Sequence, residues 1–299
     1  MKQSTIIIIV IVVLAICCLA VAVPSLIFGP AVLERLTSLA NPTQAPASEP
    51  LSTDASMAEI QAQVSQLRGL SLTQDLPRQL LSPEELSRRV EEEFFAEYTL
   101  EDAAKDAKTL HLLGLLPAEF DLLNFYKQLY SEQVAGYYDN EIQTMYVVQS
   151  EGFKGPQRST YAHEFTHALQ DENFDFEGKL GYNDDNCEAN SEYCAAIQSL
   201  IEGDATLTEA NWIQQHATEQ DINELRAFYA ELDNPVLDSA PLYLSADMIF
   251  PYEKGYDFVN ALYIKGGYPA INEAFTTNRP VSTEQILHPA KYPHDLPQP

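Results

Sequence analysis

The sequence predicts an α+β domain, predominantly helical, with a small β-hairpin or sheet beside one central helix and a transmembrane helix ahead of it. Three observations predict it. Most of the chain after residue 57 carries apolar residues at helical spacing, punctuated by capping signals. One segment, AGYYDNEIQTMYVV (residues 135–148), instead sets β-branched and aromatic residues on either side of Asp139, Asn140 and Glu141. The third is the uncharged run TIIIIVIVVLAICCLAVAV at residues 5–23, long enough to cross a bilayer as a helix.

That run defines the first segment, an N-terminal signal anchor over residues 1–28. No A-x-A-like cleavage site follows it cleanly, and Ile16 stands where a small residue should precede a lipidated cysteine. Lys2 and the amino terminus are the only positive charges before it, so the N-terminus is expected inside and the rest outside. The implied location is a cell membrane crossed once, with the lipid bilayer as a partner. Residues 29–56 include SLANPTQAPASEPLSTDAS, rich in Pro, Ala and Ser, which reads as a flexible tether. Residues 57–299 remain for one extracytoplasmic domain, ample for a real core.

Composition limits what that domain does. The formal net charge is −27, from 44 acidic and 17 basic residues. Such a surface repels phosphate backbones, so nucleic acid is excluded as a partner. Apolar residues make up 45 % of the chain, which excludes a disordered one. No Walker loop, dinucleotide-binding glycine fingerprint or G-x-S-x-G elbow occurs.

The elements follow in order. Residues 57–67 show helical spacing. Ser82, Pro83 and Glu85 in SPEEL form a capping box that opens a helix to about Tyr98. Thr99 caps another, with Asp102 in its first turn and Gly114 past its end. A further helix fits residues 118–134, with Phe120, Leu123, Phe125 and Leu129 on its apolar face. The first third is thus expected to be all helical. The hairpin comes next, and Gly152, Gly155 and Pro156 break the chain before the helix of YAHEFTHALQDENF. Residues 175–186 are polar and irregular. Helices are expected at 189–216, at 221–232, and from Phe250 to the Gly266-Gly267 break. Short ones follow in PAINEAF and STEQIL.

Beyond the anchor only Cys187 and Cys194 remain. A straight helix would hold them about two turns apart, too far to bond. Either the chain bends between them or the thiols stay free; an exported domain favours the bent, bridged form.

In YAHEFTHALQDENF, His163 and His167 lie one turn apart on one helix face, so both imidazoles reach one ion. Glu164 is placed to hold and deprotonate a water at the open coordination position. This is the H-E-x-x-H arrangement of metalloproteases. A third protein ligand is required. A second glycine–histidine extension is ruled out, because Gln170 and Asn173 occupy its positions. The remaining choice is a glutamate on a later helix: Glu188, Glu192, Glu202 or Glu209. Glu202 stands out in LIEGDA, where its neighbours are apolar or small and a buried carboxylate is costly without a cation. The plain alternative is a solvated glutamate on an amphipathic helix. Asp204 and then Asp171 are the residues expected to orient the histidines.

HEFTH followed by a distant EGDA resembles the gluzincin class of zinc metallopeptidases, whose fold is zincin-like. More closely, QVAGYYDNEIQTMYVV, YAHEFTHALQDENFDF, LIEGDA, FPYEKGYDFV and STEQILHPAKY resemble phrases of uncharacterised bacterial metallopeptidases that are membrane-tethered or secreted. The resemblance spans about residues 80–292. It implies one Zn2+ per chain on His163, His167 and Glu202, Glu164 as catalytic base, and a peptide or protein substrate. It also implies a downstream oxyanion donor, for which His288 and Tyr256 are available, and a strand edge within residues 137–148 that pairs with extended peptide. Two other classes of function stay open: a non-catalytic zinc-containing scaffold that binds a partner, and a zinc hydrolase of non-peptide bonds.

Overall fold

The structure is a computed structural model describing residues 52–82, 84–86, 88–89, 92, 98–133, 136–148, 152–232 and 235–297. The expected anchor lies outside these residues, as do nearly all of the tether and much of the helix expected from Ser82. Among the described residues no helix is long and apolar enough to cross a membrane.

Helix α1 spans Thr53–Arg68, beginning before Met57, inside the stretch read as tether. The reason is local: the Ser52 side chain accepts the Ala55 N–H, and Asp54 sits in the first turn. Gly69, at φ 68°, ends it. Its buried stripe is Met57, Ile60, Val64 and Arg68. The next element corrects the all-helical reading of the first third. RQLL forms strand β1, Arg78–Leu81. Four residues of mixed character carry no visible alternation; only the distant partner makes them a strand.

Residues 84–86, 88–89 and 92 are helical, and the expected capping box is present between Ser82 and Glu85. Helix α2 (Leu100–Leu112) carries the Thr99–Asp102 capping box, and α3 spans Leu122–Gln133. Strands β2 (Gly136–Asp139) and β3 (Thr144–Val148) pair antiparallel, with Tyr138 opposite Met145. The Asp139 carboxylate accepts the N–H groups of Glu141 and Ile142 and closes the turn. Strand β1 adds to the far side of β3 in parallel, giving the order β1-β3-β2.

Helix α4 (Gly155–Phe174) is buried almost all round from Ser159 to Asp171, as a core helix is. Helices α5 (Asp184–Ala189) and α6 (Ser191–His216) are separated by Asn190, whose backbone leaves helical space at φ −149°, ψ 79°. That is the bend the cysteines require: Cys187 and Cys194 are bridged, with Cα atoms 5.4 Å apart. Helices α7 (Glu219–Glu231) and α8 (Pro235–Asp238) lead to α9 (Leu242–Thr276). Helix α9 starts well before Phe250 and carries Pro251 inside it, then kinks at Gly266 and Gly267 where a break was expected. Helix α10 (Thr283–Leu287) closes the described chain.

The fold is therefore α+β, predominantly helical with one small sheet. Helix α6 is its axis, packed against both α9 and α4, while α1 lies on α4 and α6. The crossing of α6 and α9 is close because it is made by glycines. A Cβ on Gly203 would sit 2.2 Å from the Gly255 carbonyl oxygen, and one on Gly255 2.1 Å from that of Ser199. This approach presents the middle of α6 to α4.

Candidate metal centre

Helix α4 supplies His163 and His167 one turn apart, their rings 4.8 Å between centroids and nearly perpendicular. Helix α6 supplies Glu202, fully buried. Its Oε2 lies 3.3 Å from His163 Nε2 and 3.4 Å from His167 Nε2. Ligand atoms around a tetrahedral zinc stand about 3.3 Å from one another. Glu202 thus stands at that spacing from each imidazole, all three candidate ligand atoms lie within 4.8 Å of one another, and no other such group of three or more is found among the described residues.

The polar accounting points the same way. His167 Nε2, Glu202 Oε1 and Glu164 Oε1 are buried and have no hydrogen-bond partner. Orphaned polar atoms in a core are costly unless something meets them. A divalent cation would meet the first two. Glu164 is held by its other oxygen, Oε2, which accepts the backbone N–H of Tyr138 at 2.9 Å.

Burial opposes charge on every group here, and the neighbours decide each outcome. For His163, hydrogen bonds to Glu202 and Glu209 outweigh burial and raise the pKa to about 10. His167 is raised too, by the charge of Glu202. Burial alone would raise Glu202, but His167 and His163 hold it at about 2. Burial wins at Glu164, pushed up to about 7 against the pull of His167 and His163. The two carboxylates thus favour positive charge on the imidazoles, as they would favour a cation between them.

Each histidine is oriented through its Nδ1, and the partners differ from the sequence expectation. Glu209, a possible ligand by its type alone, instead has Oε2 3.2 Å from His163 Nδ1, while its Oε1 accepts from Ser159 Oγ. It lies two turns beyond Glu202 on α6, a spacing that puts both carboxylates on one face. That spacing was the available signal. Gln170 Oε1 meets His167 Nδ1 at 2.9 Å, and Gln170 Nε2 donates to Asp204 Oδ2 at 2.8 Å. Asp204 therefore acts at one remove. Asp171 does not orient a histidine: its Oδ2 accepts from Tyr138 Oη at 2.9 Å and its Oδ1 from the Phe176 N–H. It ties β2 to the end of α4. Glu188 and Glu192 are exposed, and Glu192 caps α10 through the Thr283 N–H.

Of the two residues expected to stabilise an oxyanion, His288 is placed away from the cluster. His288 is exposed beside Glu284. Its short helix is tied to α6 at Glu192, about 15 Å along that helix from Glu202. Tyr256 is half-buried and packs on the apolar cluster of α5, α6 and α9. One turn earlier, Tyr252 is fully buried with its ring 6.5 Å from that of His163. The expected strand edge is also narrower than the hairpin. Strand β3 is flanked on both sides, and the outer edge of β2 gives its Tyr138 amide to Glu164. Comparison with family models, curated proteins and solved structures finds no match for this chain.

Proposed function

We propose that the domain is a zinc-dependent hydrolase of the gluzincin type, acting on peptide bonds and held outside a membrane by residues 5–23. The observation that carries the reading is the buried His163–His167–Glu202 cluster with Glu164 beside it and three polar atoms left unmatched. Two imidazoles and one carboxylate form a donor set suited to Zn2+, with a position left for solvent or substrate. An ion held there supplies Lewis acidity and makes water a nucleophile near neutral pH.

The protein's own part is proton handling and orientation. Glu164 keeps Oε1 buried and without a partner, while the Tyr138 amide fixes Oε2. Beside a bound ion this carboxylate would accept a proton from water and return it to a leaving amine. Glu209 and Gln170, by accepting at Nδ1, keep each imidazole's Nε2 unprotonated when an ion is bound.

Glu164→Gln tests the reading because it preserves shape and all three ligands. Metal content should stay near that of the wild type, while hydrolysis of a peptide library falls by about two to four orders of magnitude. A zinc-loaded wild type inert toward peptide and ester libraries alike would favour the scaffold class. Activity on esters alone would favour the non-peptide class. A Glu164→Gln variant as active as the wild type would remove the mechanism.

A further inference from the structure

Helix α1 packs on α4 and α6 with an apolar stripe whose last member is an arginine. Arg68 is fully buried, and so is its partner Asp204. Its Nε donates to both carboxylate oxygens, at 2.9 and 3.0 Å. Its Nη1 donates to Asn272 Oδ1 at 2.6 Å, and its guanidinium lies 4.8 Å over the Tyr268 ring. Tyr268 and Asn272 belong to the part of α9 beyond the kink at Gly267, where φ is 65°.

We propose that Arg68 is a positioning residue of the metal centre, orienting His167 through Asp204 and Gln170, so that α1 is a working part of the site. A chain of hydrogen bonds connects them. Gln170 Nε2 donates to Asp204 Oδ2 and to the Ile201 carbonyl. With two acceptors at its nitrogen end, the amide must turn its oxygen to His167 Nδ1. That oxygen accepts, so Nδ1 carries the proton and Nε2 is free for an ion. The arrangement holds only while Asp204 keeps its place at the Gln170 amide, and Arg68, whose Nε donates to both of its oxygens, fixes it there. Stability alone is a weak reason for the pair: Arg68 Nη2 is buried without an acceptor. Apolar side chains often replace such pairs at no cost.

The inference rests on the zinc reading above, and the test separates the two. Zn2+ affinity is measured by chelator competition on the whole chain, with the visible absorption of the Co2+-loaded form as a report of ligand geometry. Arg68→Met combined with Asp204→Asn removes both charges together, leaving no ion buried alone. Its Zn2+ dissociation constant should rise about 10- to 100-fold and its Co2+ spectrum should change, while the circular dichroism stays that of the wild type. If that variant does not fold, Arg68→Lys keeps the charge but not the planar donor set. It should bind Zn2+ at least several-fold more weakly. Wild-type affinity and an unchanged Co2+ spectrum in a folded variant would overturn the role of Arg68 and leave the zinc reading intact. A wild-type chain that binds neither metal would overturn both.

Discussion

At the scale of the residue, the centre divides into groups that would touch an ion and groups that aim them. The division has measurable consequences. Glu202→Ala removes a ligand and should abolish stoichiometric zinc in elemental analysis. Glu209→Gln leaves the ligands but weakens the acceptor at His163 Nδ1, and should raise the zinc dissociation constant about 10- to 100-fold. Equal losses in both would mean that the third ligand is misassigned. Away from the centre, Asp247 on α9 faces Tyr126 and Tyr243, and burial pushes its carboxyl up to about 6. The folded state therefore binds its proton more tightly than the unfolded chain, whose Asp titrates near 4. Below pH 4 the group costs nothing; the penalty grows as pH rises from about 4 to about 6 and is complete above that. Asp247→Asn should raise the melting temperature at pH 8 and leave it unchanged at pH 4. The gain is on the order of 1 kcal/mol, a discounted figure because the side chain keeps some solvent contact. A gain of equal size at both pH values would contradict burial of the carboxylate as the cause.

At the scale of the element, the distance between α6 and α9 governs the rest. Gly203 immediately follows Glu202, so the contact that brings the helices together also sets the depth and rotation of the ligand. Gly203→Ala would place a methyl 2.2 Å from a backbone oxygen, which no rotamer relieves. The helices must separate, at a cost of about 1–3 kcal/mol or more, and zinc affinity should fall with the melting temperature. Unaltered melting and zinc binding would show that the crossing is not a constraint. The caps at Thr99 and Thr218 belong to this scale too. Each closes a box with an aspartate three residues on; the Thr99 cap was expected, whereas the helix expected from Asp221 starts at Glu219 behind Thr218.

At the scale of the whole molecule, the expected arrangement is a strongly acidic domain on a tether outside a membrane. The full chain should sediment with membranes and require detergent for release, whereas recovery of a native protein beginning beyond residue 24 would overturn the anchor. Among the described residues the inward faces form three apolar clusters, one on α2, α3 and the sheet, one on α5, α6 and α9, one beneath α1, α4 and α7. The His163–His167–Glu202 group lies buried where α4 and α6 meet.

What the sequence determined by itself is whatever a few neighbouring residues decide: the capped helices, the hairpin around Asp139, the shared face of His163 and His167. Glu202 was legible for the same reason, since a carboxylate among apolar and small neighbours implies a partner before the partner is seen. Only the tertiary structure decided that RQLL becomes a strand, because its hydrogen bonds go to β3 far along the chain. It alone placed Tyr252 beside His163, and Gln170 and Glu209 behind the imidazoles. It alone drew Arg68 into the same network. Those assignments depend on how each helix is rotated about its axis and where it crosses the next. Local spacing says which residues share a face; packing across the Gly203–Gly255 contact says what that face meets.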